Sequence, residues 1–280
     1  MSLPALTGTF PTFTPVHVPM PPAEQVPHPN LFSNRLAASF EDPYEQRVLR
    51  VVVMAELFPI VDLTNPVDLE IVFRDVFQSY RWLYEHANLL HRDLSTANIM
   101  FRRGSNGRVH GVLNDFDHPT HIGSACSHQR AGTAPFMAID LNAPHPPVHL
   151  YRHDLESLYY VLVRAVCPPD HQDWFSIRRS LMADAKRSYF FRCALVPQRG
   201  FEGFSRWMEA IHDAFEFGLR AQSDHLKGRL VVGEPYDNKT LGGNVSFDSF
   251  SVIFNDNLAE QESGEELEDT VSNTTYESSV

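Results

Sequence analysis

Lysine is scarce in this chain of 280 residues and is missing from its first 185 positions. Only three of the 23 basic side chains are lysines, and the first of them is Lys186. Glycine is also missing between Gly8 and Gly104. A glycine-rich loop lets backbone N–H groups approach a phosphate closely, and a nearby lysine adds positive charge. The two gaps exclude a phosphate-binding site of that kind between Gly8 and Gly104.

Cysteines and long apolar runs are few as well. The chain has three widely spaced cysteines, which are Cys126, Cys167 and Cys193. This number and spacing fit neither a disulfide framework nor a zinc ribbon. The most apolar run, Leu158–Val163, is too short to span a bilayer, and the N-terminus lacks the basic start of a signal peptide. We therefore expect an intracellular protein, in the cytoplasm or nucleus, with no signal peptide or transmembrane segment.

Charge and composition divide the chain into three regions. Residues 1–45 are predicted to be a proline-rich extended arm, because proline fixes φ and lacks an N–H donor. Residues 256–280 carry eight acidic side chains and no basic one, which predicts an acidic disordered tail. The tail supplies most of the net charge of −12, and residues 46–255 are predicted to form the folded domain. The acidic balance argues against a nucleic-acid partner, and we expect no membrane partner either.

The central region predicts a mainly α (α+β) fold. Asn65 and Pro66 are typical of a helix start, and apolar residues at helical spacing follow for about twenty residues. Residues 154–163 are apolar nearly all round, as expected of a helix buried at the centre of a core. We also expect an amphipathic helix at 204–219, a buried strand at 50–54, and a hairpin of strands 99–101 and 109–113.

Three polar side chains around the predicted hairpin indicate the chemistry. Asp93 and Asn98 precede the first strand, and Asp115 follows the second strand. The hairpin would bring Asn98 and Asp115 side by side, and oxygen ligands of this type suit Mg²⁺ together with substrate phosphates. Asp93 would lie close by, where a carboxylate can orient and deprotonate an attacking hydroxyl. The predicted reaction class is phosphoryl transfer from a magnesium nucleotide.

The order and spacing of these residues resemble those of eukaryotic protein kinases. His91–Asn98 resembles the catalytic loop, Asp115–Asp117 the metal-binding motif, and Gly132–Asp140 the end of the activation segment. The amino-acid sequence more closely resembles the fungal-type protein kinase-like family, in the segments HRDLSTANIM, GTAPFMAIDL, YRHDLESLYYVL and TLGGNV. The resemblance covers roughly residues 47–250. It implies the large lobe of a kinase, with a short β-hairpin at the catalytic loop.

The resemblance implies catalytic roles for five residues. Asp93 would be the base, and Asn98 and Asp115 would hold Mg²⁺ and ATP. Ser95 stands where Ser/Thr kinases have a phosphate-contacting lysine, so that contact would be lost. Arg92 would bind an activation-segment phosphate or, alternatively, form a salt bridge or hydrogen bond within the loop. The possible phosphate acceptors are Thr120, Ser124, Ser127 and Thr133.

The resemblance also implies structural roles. His91 would be a packed residue and not a base, and Asp154 would accept backbone N–H bonds from the catalytic loop. Asp140 replaces the glutamate at the end of the activation segment and would keep its charge, and Thr133 would support the same segment. Asp117 replaces the glycine of the metal-binding motif, where aspartate tolerates a left-handed backbone better than most residues.

Three functions remain open at this point. The family reaction is transfer of phosphate from Mg-ATP to a protein hydroxyl. We expect it to be weak or absent, because the small lobe, with its glycine-rich loop and phosphate-binding lysine, is largely missing from this sequence. The first alternative is a non-catalytic pseudokinase that binds a protein partner, or a truncated gene product. The second is a small-molecule kinase, which the segment Gly132–Asp140 and the predicted Asp154 helix argue against.

Overall fold

The computed structural model describes residues 55–117, 119–123, 131–168, 176–192, 196–228 and 236–255. All of them lie in the compact unit that begins at Met54. The predicted arm at 1–45, the strand at 50–54 and the tail at 256–280 lie outside the described residues.

Helices make up most of the described structure. They are α1 (Pro66–Ala87), α2 (Ile139–Asn142), α3 (Tyr151–Val166), α4 (Arg179–Arg192), α5 (Ser205–Leu226) and α6 (247–255), with short 3₁₀ turns at Ile60–Asp62 and Glu202–Phe204. The predicted start of α1 is confirmed, because the side chain of Asn65 accepts a hydrogen bond from the N–H of Val67 and Pro66 opens the helix. The helix ends at Asn88, which has a left-handed φ of 54°.

Two small antiparallel sheets accompany the helices. The strands are β1 (Phe58–Pro59), β2 (Leu89–Leu90), β3 (Ile99–Arg103), β4 (Val109–Leu113) and β5 (Thr120–His121). One sheet has the order β1-β3-β4, and the other pairs β2 with β5. The predicted hairpin is β3–β4, and its turn is closed by the N–H of Gly107 donating to the carbonyl of Gly104. The mainly α (α+β) class is confirmed.

The hairpin lies directly against α1. A Cβ atom at Gly111 would lie 2.5 Å from the backbone oxygen of Val72, so β4 can approach the helix this closely only with glycine at that position. The N–H of Gly111 donates to the carboxylate of Asp75, also on α1, over 2.9 Å. The contact with α1 holds the hairpin, and with it the loop and the strand end that flank it.

Helix α3 lies at the centre of the core, as its apolar sequence predicts. Fourteen of its 16 residues are buried, including the polar side chains Arg152, His153, Asp154 and Glu156. Around it, aromatic rings join three of the other helices: Phe77 of α1 and Trp207 of α5 both pack against Phe254 of α6. Within the described residues, no helix is long and apolar enough to cross a membrane.

Candidate functional site

Asp154 is completely buried in the first turn of α3 and receives hydrogen bonds from several segments. Its Oδ2 accepts from the Tyr80 hydroxyl at 2.7 Å and from the N–H of His91 at 3.1 Å. Its Oδ1 accepts from the N–H of Arg92 at 3.2 Å and contacts Nε2 of His149 at 2.8 Å. Burial raises the pKa of Asp154, but His149 and Tyr80 outweigh burial, so the carboxyl pKa lies below its usual value. As a carboxylate, Asp154 therefore fixes the backbone of the loop at His91 and Arg92.

His91 is packed within the loop. Its side chain is buried, its Nε2 lies 3.0 Å from the carbonyl oxygen of Asn114, and its ring meets the edge of Phe116. Both neighbours belong to the segment that follows β4. The ring of His91 therefore joins the loop 91–98 to the residues on either side of Asp115.

Arg92 forms a hydrogen bond inside the site. It has a left-handed φ of 72°, and its Nη1 donates to the hydroxyl of Thr120 at 2.6 Å. Thr120 is itself buried, so its hydroxyl contacts the guanidinium and not solvent. Ser124, Ser127 and Cys126 lie outside the described residues. Thr120 lies in β5, outside the loop, and is one of the possible phosphate acceptors, so the contact leaves both interpretations of Arg92 open.

Asp93 is held by Thr133, which comes from the segment that resembles the end of an activation segment. Oδ1 of Asp93 accepts hydrogen bonds from the N–H of Thr133 at 2.7 Å and from its hydroxyl at 2.8 Å. Its Oδ2 accepts no hydrogen bond from the described residues. One carboxylate oxygen is thus fixed while the other can accept a proton or a hydrogen bond from a bound molecule.

Asn98 precedes β3 and Asp115 follows β4, so both residues lie at the open end of the hairpin, where a backbone hydrogen bond joins the two segments. The N–H of Asn114 donates to the carbonyl of Asn98 at 2.8 Å, and Nδ2 of Asn98 donates to the carbonyl of Asp93. Asp115 is exposed, and its Oδ1 accepts from the N–H of Asp117. Within the described residues, Oδ1 of Asn98 and Oδ2 of Asp115 accept no hydrogen bond. Two free oxygen donors of this kind fit Mg²⁺.

Two details differ from what the sequence suggests. The left-handed backbone falls on Asp115, with φ 60°, and not on Asp117. Ser95 is completely buried, and its hydroxyl has no hydrogen-bond partner in the described part of the chain. Its carbonyl oxygen accepts from the N–H groups of Asn98 and Ile99, so Ser95 lies inside the turn that leads into β3. The position that the resemblance relates to a phosphate contact is thus occupied by a buried side chain.

Asp140 accepts hydrogen bonds from two helices. Its Oδ2 accepts from Arg152 of α3 at 2.7 Å and from Gln222 of α5 at 3.0 Å. Arg152 is almost fully buried and also donates to the backbone oxygen of Asn238 at 2.7 Å. Burial raises the pKa of Asp140, but the opposing effects of His153 and Arg152 are larger. The pKa of this carboxyl therefore lies well below its usual range, and the group stays ionised. The ion pair joins the end of the segment 132–140 to the helical core.

Two buried ionisable residues that the sequence analysis did not select also contact this segment. Oε1 of Glu156, on α3, accepts from the N–H of Ile139 at 2.8 Å and from the hydroxyl of Tyr160 at 2.7 Å. Nζ of Lys186, on α4, donates to the carbonyl of Met137 at 2.5 Å. Burial lowers the pKa of Lys186 to about 7, although Glu156 opposes the shift. The isolation of Lys186 as the first lysine was the only signal in the sequence.

Comparison with protein families gives one match. Residues 13–166, more than half of the chain, match a family model described as fungal protein kinase. A comparison with curated proteins finds no match. The matched range includes Asp93, Asn98, Asp115 and Asp154, and it ends at the last residue of α3, before Lys186.

Proposed function

The chain belongs to the fungal protein kinase family, and we propose that its site is suited to phosphoryl transfer from Mg-ATP to a protein hydroxyl. The observation that carries the proposal is the pair of hydrogen bonds from Thr133 to one oxygen of Asp93. These bonds fix the orientation of the carboxylate and leave Oδ2 to meet a substrate hydroxyl. A base must lie within hydrogen-bond reach of the proton that it removes, and Oδ2 is the oxygen that would accept it.

Asn98 and Asp115 would hold the metal. Their free oxygens are hard donors, and the contact between Nδ2 of Asn98 and the backbone of Asp93 keeps the amide oxygen directed away from the loop. A bound magnesium ion would neutralise charge on the phosphate oxygens. Asp93 would accept the proton of the protein hydroxyl as the hydroxyl oxygen bonds to phosphorus and the nucleoside diphosphate departs.

The chain supplies few groups that would bind the phosphates of the nucleotide. No lysine occurs before Lys186, and Lys186 is buried against Met137, so it does not reach a phosphate near Asp115. No glycine occurs between Gly8 and Gly104 to form a phosphate loop. We therefore propose that residues 1–280 by themselves bind Mg-ATP weakly and transfer its phosphate slowly or not at all.

The proposal is tested with the full chain and manganese ADP as a paramagnetic probe. At millimolar concentration we expect selective broadening of the amide signals of Asn98 and Asp115, and Asp115→Asn should abolish it. Asp248→Asn, which changes an exposed aspartate on α6, is the matched control and should leave the broadening intact. In parallel we expect no thermal shift with Mg-ATP and no transfer of labelled phosphate. A large thermal shift that Asp115→Asn removes would overturn the proposed weakness of binding.

The second candidate is a non-catalytic module that binds a protein partner, and the lack of an early lysine favours it. The ring of Phe116, next to Asp115, is 41% exposed, as a partner-binding surface would allow. The same manganese experiment separates the two candidates. Broadening that spreads over exposed carboxylates, and is unchanged in Asp115→Asn, would reject the metal site and leave the binding module.

A further inference from the structure

Lys186 is a buried cation for which the proposed reaction has no use. Its side chain is completely buried on α4, with Nζ over the ring of Tyr160 at 3.8 Å from the ring centre. Placing an ammonium group inside a protein is unfavourable unless hydrogen bonds replace its hydration. Nζ donates a hydrogen bond to the carbonyl of Met137, so the buried ammonium group holds the backbone of the segment 132–140.

The position of Met137 is linked to that of the candidate base. The N–H of Met137 donates to the carbonyl of Thr133 at 3.2 Å, and Thr133 donates twice to Oδ1 of Asp93. The segment is also tightly packed, because a Cβ at Gly132 would lie 3.0 Å from Cγ of Met137 and 2.9 Å from the backbone oxygen of Arg92. A shift of Met137 would therefore move Thr133 relative to Asp93.

Glu156 holds the same segment two residues further along. Its Oε1 accepts from the N–H of Ile139, while the hydroxyl of Tyr160 donates to the same oxygen. Lys186 thus contacts a backbone acceptor and Glu156 a backbone donor of one short stretch, 137–139. The two side chains come from different helices, α4 and α3, which fixes the stretch in more than one direction.

We propose that Lys186 and Glu156 are positioning residues, which hold the stretch 137–139 so that Thr133 fixes the carboxylate of Asp93. The functional meaning rests on the proposed role of Asp93 as the base. The mechanical part does not, because the contacts from Lys186 to Asp93 are made within the protein and can be measured without nucleotide.

The charge of Lys186 gives this arrangement a pH dependence. Lys186 has a pKa of about 7, set by burial and opposed by Glu156. Three further ionisable groups face this pair and the stretch that it holds: Tyr160 lies against Nζ of Lys186, Asp140 acts on Glu156, and Arg179 contacts the sulfur of Met137. The pKa of Lys186 is lower in the buried contact than in a solvated lysine, so an opening that hydrates Lys186 takes up a proton. That opening becomes less favourable as pH rises through about 7, and the hold on Met137 should strengthen.

The test measures hydrogen-exchange protection of the Thr133 amide, relative to its intrinsic rate, in the full chain. At pH 8, Lys186→Met should lower this protection by about fivefold or more, the equivalent of one hydrogen bond. Lys239→Met, which removes an exposed lysine, is the matched control and should change nothing. A Lys186→Met protein with unchanged near-ultraviolet circular dichroism and protection within about twofold of the parent would overturn the proposal.

A second variant keeps the proposal falsifiable if Lys186→Met does not fold. Glu156→Gln retains an oxygen that can accept from Ile139 and Tyr160, but it removes the negative charge that raises the pKa of Lys186. The pH midpoint at which Thr133 gains protection should therefore move below that of the parent. An unmoved midpoint would reject the coupling. Failure of the proposed function would instead appear in the manganese experiment, which does not involve Lys186.

Discussion

Replacing Asp154 by asparagine should lower the free energy of unfolding, because it removes hydrogen bonds that hold the loop of the candidate site. The carboxylate is completely buried, and its two oxygens contact four groups. Oδ2 accepts from the hydroxyl of Tyr80 and the N–H of His91, while Oδ1 accepts from the N–H of Arg92 and contacts the ring of His149. Asparagine has nearly the same shape but offers one oxygen and one NH₂ group. Two donors would then face another donor, and the negative charge would be gone.

The size of the effect follows from these contacts. A hydrogen bond to a charged group contributes about 1.5–3 kcal/mol, so the loss of two gives a destabilisation of about 4 kcal/mol after partial rearrangement. The left-handed backbone of Arg92 increases the destabilisation, because this conformation is unfavourable for a non-glycine residue. The N–H of Arg92 is one of the groups that Asp154 holds in place. A loss of this size is a large fraction of the stability of an ordinary domain.

Urea unfolding followed by circular dichroism measures the loss, by linear extrapolation to water. Asp248→Asn is the matched control, because Asp248 is 86% exposed and pairs with Arg81 at the surface. A surface pair contributes at most about 1 kcal/mol, so this variant should resemble the parent. If the two variants differed by less than about 1 kcal/mol, the hydrogen bonds to Asp154 would not hold the loop as argued.

Three further outcomes are expected in the same urea experiment. Gly111→Ala should lower the free energy of unfolding by about 3 kcal/mol, because its Cβ would lie 2.5 Å from a backbone oxygen of α1. Gly203→Ala, with open space around its Cβ, is the control and should change this free energy by less than about 0.5 kcal/mol. Asp140→Asn should lower the free energy of unfolding by about 3 kcal/mol at pH 7, because it leaves the buried guanidinium of Arg152 without its counter-ion. A decrease below about 1 kcal/mol would contradict this role of the ion pair. The pKa of Lys186 falls from 10.5 in the unfolded chain to about 7 in the folded one, so the unfolded chain binds more protons between these values and stability rises with pH. From pH 7 to 8.5 the parent should gain about 1.5 kcal/mol that Lys186→Met does not gain, and equal pH dependence in the two proteins would refute the assignment.

Much of the fold follows from local sequence signals. Asn65 and Pro66 mark the start of α1 because capping depends only on neighbouring residues. The hairpin follows from two short apolar runs separated by a glycine-containing turn, and α3 from a run that is apolar on every face. Helix α4 was not predicted, because its sequence has no clear apolar stripe: Lys186, which faces the core, is charged.

The contacts that complete the site could not be predicted in this way. Asp140 meets Arg152, 12 residues further along, and nothing in the spacing marks Arg152 as buried. Thr133 was expected to have a structural role or to accept a phosphate, but its two bonds to Asp93 span 40 residues. The left-handed residues Arg92 and Asp115 are not glycines, so composition gives no sign of them. These features arise from packing between distant segments, which pattern and propensity do not encode.

The burial of Asp154 has a consequence for how a gene of this kind can change. A descendant that no longer transferred phosphate would still need Asp154 to fold, and that need alone would preserve the backbone of His91 and Arg92. Asp115 is under no such constraint, because it is exposed and its one hydrogen bond within the described residues is to the nearby N–H of Asp117. Mutations that end catalysis should therefore accumulate first at Asp115, in a protein whose catalytic loop still looks intact.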